Sequence, residues 1–338
     1  MRILIIGGTR FIGPYIVRSL SNKGHNITLF HRGKSKVNLP EGIKHIVGER
    51  KNLLDFTNQF KNVNPQMVLD MIPVTEQDAN DVMNIFKGIA KRIVAISSQD
   101  VYRAYGKLIG IENCPIEPVP LGEDSALREK IYPYRDKFKP DNKMYYYDKI
   151  LVERVYMSSP ELPGTILRFP MVYGPGDYQH RLFPYLKRMD DKRPAILLEQ
   201  SMAAWRWTKG YVEDVAKATV LAISNEQAKN RIYNVGEEKA VSEEDWIKTI
   251  GRAAGWDGKV VTVPKEQMPD SWIQNIDTDQ NLVTDSTRIR KELGFSEIVN
   301  GNDALKLTIE WERKHLPTKI EQKMFDYEAE DKLLKKLN

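Results

Sequence analysis

Residues Met1 to Gly13 constrain the fold more than any other stretch. Arg2-Ile3-Leu4-Ile5-Ile6 is a short, β-rich apolar run that stops at Gly7-Gly8-Thr9-Arg10-Phe11-Ile12-Gly13. A helical pattern of Tyr15, Ile16, Val17 and Leu20 begins at once. A buried strand that turns through glycines into a helix presents free backbone N–H groups and a positive helix end, a cradle for the phosphates of a dinucleotide. The placement of the glycines at a strand-to-helix junction carries this reading more than their spacing does. Arg10 stands where such loops often have another glycine.

The same rhythm continues. Ile27–Phe30, Ile43–Val47, Met67–Asp70, Arg92–Ile96 and Thr165–Arg168 read as strands, with helices over 78–90 and 144–158 and a helix stop at Gly24. Short apolar strands alternating with helices predict an α/β fold: a doubly wound parallel sheet covered on both faces. After Pro175 the pattern loosens into a smaller α+β lobe, with helices over 181–189, 212–224, 287–293 and 304–315 and strands over 195–198, 231–235 and 260–263. The expected division is a dinucleotide-binding domain over 1–175, to which some later segments return, a lobe over 176–317 and a polar tail over 318–338.

Composition excludes some classes. The chain has 338 residues, 41% hydrophobic and 29% charged, as in ordinary globular proteins. No apolar stretch approaches the ~20 residues that span a bilayer, and Gly7-Gly8 interrupts the first apolar run too early for a signal peptide. The single cysteine, Cys114, rules out an internal disulfide and fits a reducing cytoplasm. Five scattered histidines have no metal-ligand spacing, so no metal is expected. The net charge of +5 is spread among acids and reads as a solvated surface.

Two further segments carry chemistry. In Tyr145-Tyr146-Tyr147-Asp148-Lys149, a helix puts Tyr145 and Lys149 one turn apart on one face, and a nearby ammonium favours the phenolate. On that helix Tyr146 points elsewhere and Tyr147, two residues from the lysine, does not face it. Ser97-Ser98-Gln99-Asp100-Val101-Tyr102 follows the strand 92–96, where ligands sit in open α/β sheets. Ser98 is placed to meet a substrate oxygen.

With these segments in order, the chain resembles the extended short-chain dehydrogenase/reductase family of nucleotide-sugar epimerases and dehydratases. The matching stretches are GGTRFIG (7–13), SSQDVY (97–102), YYYDK (145–149), RFPMVYGPGD (168–177), GYVEDVAKA (210–218), YNVG (233–236) and STRIRKELGF (286–295). The resemblance implies hydride transfer on a carbinol or carbonyl of a sugar-nucleotide-like substrate. In it Tyr145 is the acid/base, Ser98 steadies the substrate oxygen and Lys149 holds the ribose. Gln99 and Asp100 stand where dehydratases carry acids. Gly7, Thr9, Arg10, Phe11, Ile12, Gly13, His31, Arg32, Lys34, Glu49 and Pro170, with Tyr145 and Lys149, are the expected cofactor contacts. Tyr173 and Arg206 are the expected substrate-lobe contacts, and a homodimer through the helices over 78–90 and 144–158 is implied.

The second strand ends Phe30-His31-Arg32-Gly33-Lys34, without the acid that accepts from a ribose 2′-hydroxyl, and with cations that welcome a 2′-phosphate. NADP is therefore expected ahead of NAD. The chain departs from the family where Met171 replaces a frequent asparagine and where Trp207 replaces an arginine, with Arg206 one place off. Ala203, Ala204 and Trp205 make that stretch apolar as well. GTRFIG with LFHRGKS (29–35) also resembles a branch containing chloroplast RNA-binding proteins. The alternatives are an RNA binder reusing the fold or a non-catalytic NADP sensor, and the set Ser98, Tyr145 and Lys149 favours the enzyme.

Overall fold

The computed structural model describes residues 1–337. In chain order its first part is β1 (Arg2–Ile6), α1 (Ile12–Asn22), β2 (Asn26–His31), β3 (Lys44–Val47), α2 (Thr57–Val63), β4 (Met67–Asp70), α3 (Glu76–Phe86), β5 (Arg92–Ser98), α4 (Arg103–Leu108), α5 (Lys149–Met157) and β6 (Gly164–Phe169). The rest is β7 (Met171–Tyr173), α6 (Phe183–Asp190), β8 (Ala195–Glu199), α7 (Gln200–Ala204), β9 (Lys209–Tyr211), α8 (Val212–Ser224), β10 (Arg231–Asn234), α9 (Glu243–Ala254), β11 (Lys259–Val263), α10 (Thr287–Leu293), α11 (Gly301–Lys314) and α12 (Tyr327–Leu337).

Seven strands form one parallel sheet in the order β10-β6-β5-β4-β1-β2-β3. This is the doubly wound architecture that the strand–helix alternation predicts. The reversal of order falls between β1 and β4, so the loops after those strands open a crevice at their carboxyl ends. Ile3, Leu4, Ile5 and Ile6 are fully buried, because a central parallel strand has helices against both faces. β10, expected within the smaller lobe, instead pairs with β6 as the sheet edge. The lobe itself has two short parallel pairs, β8 with β11 and β7 with β9.

Local signals explain most boundaries. Thr75 accepts from the Asp78 amide and Asp78 accepts from the Thr75 amide, a capping box that starts α3. Ser242 caps α9 by accepting from the Asp245 amide. One boundary differs from expectation. The helix predicted over 144–158 is split into a 3-10 turn at Lys143–Tyr146 and α5, which begins only at Lys149. Asp148 causes the break: its carboxylate caps α5 through the Ile150 amide at 2.8 Å and also accepts from the Tyr132 amide at 2.6 Å.

Candidate functional site

The glycine loop is shaped for a close approach. Gly7 and Gly8 have φ of 100° and 83°, and Phe11, the residue before α1, has φ of 48°. A Cβ on Gly13 would lie 2.4 Å from the Gly8 carbonyl carbon, so only glycine lets helix and loop pack there. No side chain caps the start of α1, which leaves its first amides for a ligand. A cleft of about 580 Å³ runs along this loop. Its walls include Thr9, Arg10, Phe11, Ile12, His31, Arg32, Lys34, Ser35, Glu49, Arg50, Lys51, Val74 and Lys143. Cleft and free amides fit a dinucleotide, with the pyrophosphate at the helix start.

The end of this cleft beyond β2 is cationic. Arg10 donates from Nε to Ser35 Oγ at 3.2 Å, which ties the glycine loop to the loop after β2. Lys34 pairs with Glu49 at 3.3 Å, and both remain exposed. His31 accepts from the Gly33 amide at Nδ1 (3.1 Å) and meets His45 Nδ1 through Nε2 (2.8 Å). Burial, with His45 beside it, pushes its pKa below the usual value.

Beyond β5 the second cluster assembles. Ser98 Oγ accepts from the Asp100 amide at 3.3 Å, and Ser97 is turned inward onto Glu153 at 2.6 Å. Asp100 is buried, and burial raises its carboxyl pKa. It accepts from the Tyr147 hydroxyl through Oδ2. Its Oδ1 and both amide atoms of buried Gln99 have no hydrogen-bond partner. Lys149 is 8% exposed and donates from Nζ to the Pro73 carbonyl at 2.6 Å and the Ile96 carbonyl at 3.0 Å. Burial brings its pKa down to about 8.

Three expectations need correction here. Tyr145 and Lys149 do not share a helix face, because the helix starts at Lys149; the Tyr145 ring packs against Tyr146 (5.0 Å between centroids) and under Arg135 (4.9 Å). Tyr147, set aside as facing away, has its ring centroid 5.9 Å from Lys149 Nζ. Tyr173 is buried with its hydroxyl on Glu237 at 3.0 Å and packs on Tyr211 and Trp246. In the lobe, Arg206 is exposed, while the neighbouring Trp207 has a buried indole N–H without a partner. Pro170 lies between β6 and β7 against the glycine backbones of Gly210 and Gly236.

Sequence reading also missed Arg128. Arg128 donates from Nε to the Asp100 carbonyl at 2.6 Å and reaches Asp148 at 3.5 Å, which holds the segment 128–148 over the Ser98 loop. Tyr134 in this segment packs on Tyr147 at 5.1 Å, and its hydroxyl meets that of Tyr105 at 2.7 Å. Asp148, an N-cap residue directly before the helical run, was the available signal for the true helix start.

Among the described residues, no helix is long and apolar enough to cross a membrane, and no group of His, Cys, Asp or Glu could hold a metal ion.

Several known proteins are similar to this chain. It is 26% identical over 270 residues to the chloroplast stem-loop binding protein of 41 kDa b of Arabidopsis thaliana, covering 75% of this chain and 64% of that protein. It is 24% identical over 339 residues to UDP-N-acetyl-alpha-D-glucosaminuronate decarboxylase of Bacillus cytotoxicus, covering 93% and 98% of the two chains. The structure of UDP-glucuronic acid 4-epimerase from Bacillus cereus with UDP-glucuronic acid and NAD superposes with a TM-score of 0.68 at 17% identity, covering 93% of this chain and 99% of that one. That similarity speaks for the fold. The model of the NAD dependent epimerase/dehydratase family matches residues 3–236, well over half the chain and including the glycine loop, Ser98 and Lys149. The chain belongs to the NAD-dependent epimerase/dehydratase family.

Proposed function

We propose that the protein is an NADP-dependent oxidoreductase, epimerase or dehydratase acting on a carbinol or carbonyl of a small polyhydroxylated substrate of the sugar-nucleotide kind. The observation that carries the cofactor choice is the cationic wall of the cleft. Arg10, Arg32, Lys34 and Lys51 line it, and β2 ends in His31 rather than in an acid. Arg10 spends only its Nε on Ser35, so its planar fork remains available to a phosphate in a bidentate grip.

When bound, the nicotinamide supplies or accepts a hydride. Lys149 is placed to orient its ribose: an ammonium has three donors, and the Pro73 and Ile96 carbonyls take two. Ser98 stands at the end of β5, beside the orphaned Gln99 amide and Asp100 Oδ1, where a substrate hydroxyl would find donors and acceptors. The substrate class draws its support from relatives named for UDP-sugar chemistry, while Trp207 makes the lobe less cationic than a diphosphate prefers.

The test is fluorescence titration of the purified protein with NADP and with NAD, followed by assay with UDP-glucuronic acid. NADP is expected to bind about tenfold or more tightly, the ~1.4 kcal/mol of one charge-assisted contact. NAD binding at least as tightly overturns the cofactor choice.

A further inference from the structure

We propose that Tyr147, seated by Asp100, is the hydroxyl that exchanges a proton with the substrate oxygen, the place that the sequence motif gives to Tyr145. This deepens the functional reading above and rests on it.

Three independent observations converge on Tyr147. The first is the helix start. Asp148 is fixed by Tyr132, Arg128 and its own capping of α5, so the backbone before it is extended and Tyr145 lies outside the helical turn that would bring it to Lys149. The second is shared anchorage. Tyr147 makes an antiparallel bridge with Thr75, two residues from the Pro73 carbonyl that holds Lys149. One short stretch thus positions both the ring and the ammonium. The third is what surrounds the hydroxyl. It rests on Asp100 Oδ2, while Asp100 Oδ1 and both polar atoms of Gln99 are buried with no partner. Buried polar groups are nearly always hydrogen-bonded in folded proteins, so these orphans, which share one short turn after β5 with the carboxylate that Tyr147 meets, are groups that a polar ligand would satisfy. No comparable set surrounds Tyr145, whose ring is taken up by Tyr146 and Arg135.

The charge arrangement suits proton transfer. Asp100 faces Tyr147 from the β5 loop, Lys149 from α5, and Arg128 and Asp148 from the covering segment, with the Tyr105 and Tyr134 hydroxyls nearby. Burial and the Asp100 carboxylate hold the phenol well above its ordinary pKa of 10.0, so at neutral pH it is a proton donor. As a substrate carbonyl carbon gains a hydride, its oxygen takes the proton of Tyr147: the phenol O–H bond breaks and a carbinol O–H forms. The reductive step starts from protonated Asp100: its carboxyl proton passes to Tyr147 Oη as the phenol proton leaves, and the resulting carboxylate accepts the hydrogen bond of the restored phenol. In the oxidative direction the carbinol proton passes to Tyr147 Oη as the phenol proton passes to Asp100 Oδ2. Tyr147 is the group that touches substrate; Asp100 is a positioning residue that also stores the proton.

The test has a spectroscopic arm and a kinetic arm. In protein labelled with 13Cζ-tyrosine, the resonance lost in Tyr147→Phe is expected to remain that of a phenol beyond the ordinary range. It is expected to shift, with a lowered titration, in Asp100→Asn, and Asp100→Glu should restore much of the wild-type behaviour. A Tyr147 resonance indifferent to Asp100→Asn overturns the proposal, and so does a Tyr145 resonance that responds in its place. In turnover of UDP-glucuronic acid with NADP, Tyr147→Phe is expected to lower kcat by about 10²–10⁴-fold, the worth of a general acid, and more than Tyr145→Phe does. The reverse order overturns the proposal. A wild-type protein that neither binds NADP nor turns over overturns the functional reading instead, and the Tyr147–Asp100 coupling is then decided by the spectra alone.

Discussion

Lys149 sits where a charge is costly, and the cost can be measured. It is almost fully buried and its pKa falls from the ordinary 10.5 to about 8. The causes are burial, which lowers it, opposed by the Asp100 and Asp70 carboxylates. A lowered folded-state pKa means that the unfolded chain holds more protons than the folded one between those two values. Stability therefore rises with pH from about 8 to about 10.5 and is penalised below that window. The gap, at about 1.4 kcal/mol per pH unit, amounts to ~3 kcal/mol. Lys149→Met is expected to abolish this rise, seen as the difference between wild-type and variant unfolding curves in urea across the window. A difference that does not change with pH contradicts the burial argument. A lysine kept at this cost, with two of its three donors committed to fixed carbonyls, fits a group held ready for a ligand.

Among the elements, the joint between β4, α3 and α5 adds a buried charge network to its apolar packing. Arg50 makes a two-pronged contact with Asp70 at the end of β4, with both distances 2.6 Å. Its Nε lies 3.1 Å from Asp78 at the start of α3. Tyr156 on α5 donates to the same Asp70, and Lys143 reaches Asp78 at 2.8 Å. Both Arg50 and Asp70 are buried, so removing one partner leaves an uncompensated charge in the interior. Asp70→Asn is expected to cost ~3–5 kcal/mol in denaturant unfolding, whereas a loss below about 1 kcal/mol would place the pair with exposed ion pairs. Because Arg50 also lines the cleft along the glycine loop, the same variant is expected to weaken binding of the nicotinamide cofactor, checked by the same titration.

For the whole molecule, the tail packs as a strap on the smaller lobe. Arg188 donates to Glu330 at 2.8 Å, Arg193 pairs with Asp331, Tyr327 donates to Asp191 at 2.6 Å, and Leu333 is buried with Val263 and Met268. Deleting residues 326–338 is expected to lower Tm, by roughly 2–4 °C per kcal/mol lost, with NADP affinity unchanged because the cleft lies on the sheet domain. A truncated protein that melts as the full chain does would show that the strap contributes nothing.

The parts legible in the sequence were those dictated by local physics. The strand–helix rhythm and the glycine turn after Ile6 are short-range signals, and each produced the element or the loop that its chemistry predicts. The site was legible as segments but not as geometry. Two residues of spacing decide whether a tyrosine faces a lysine on a helix, so the choice between Tyr145 and Tyr147 turned on where α5 begins. That start is set by Asp148, whose carboxylate is fixed by Tyr132 and Arg128 from a segment up to twenty residues away. The position of β10 at the edge of the main sheet, and the burial that lowers Lys149, likewise depend on contacts between distant parts of the chain. The sequence by itself determined the doubly wound sheet and its glycine turn, because periodicity and glycine conformation are local. Only the tertiary structure decided which hydroxyl meets Asp100, because burial and charge are set by whatever the fold brings alongside.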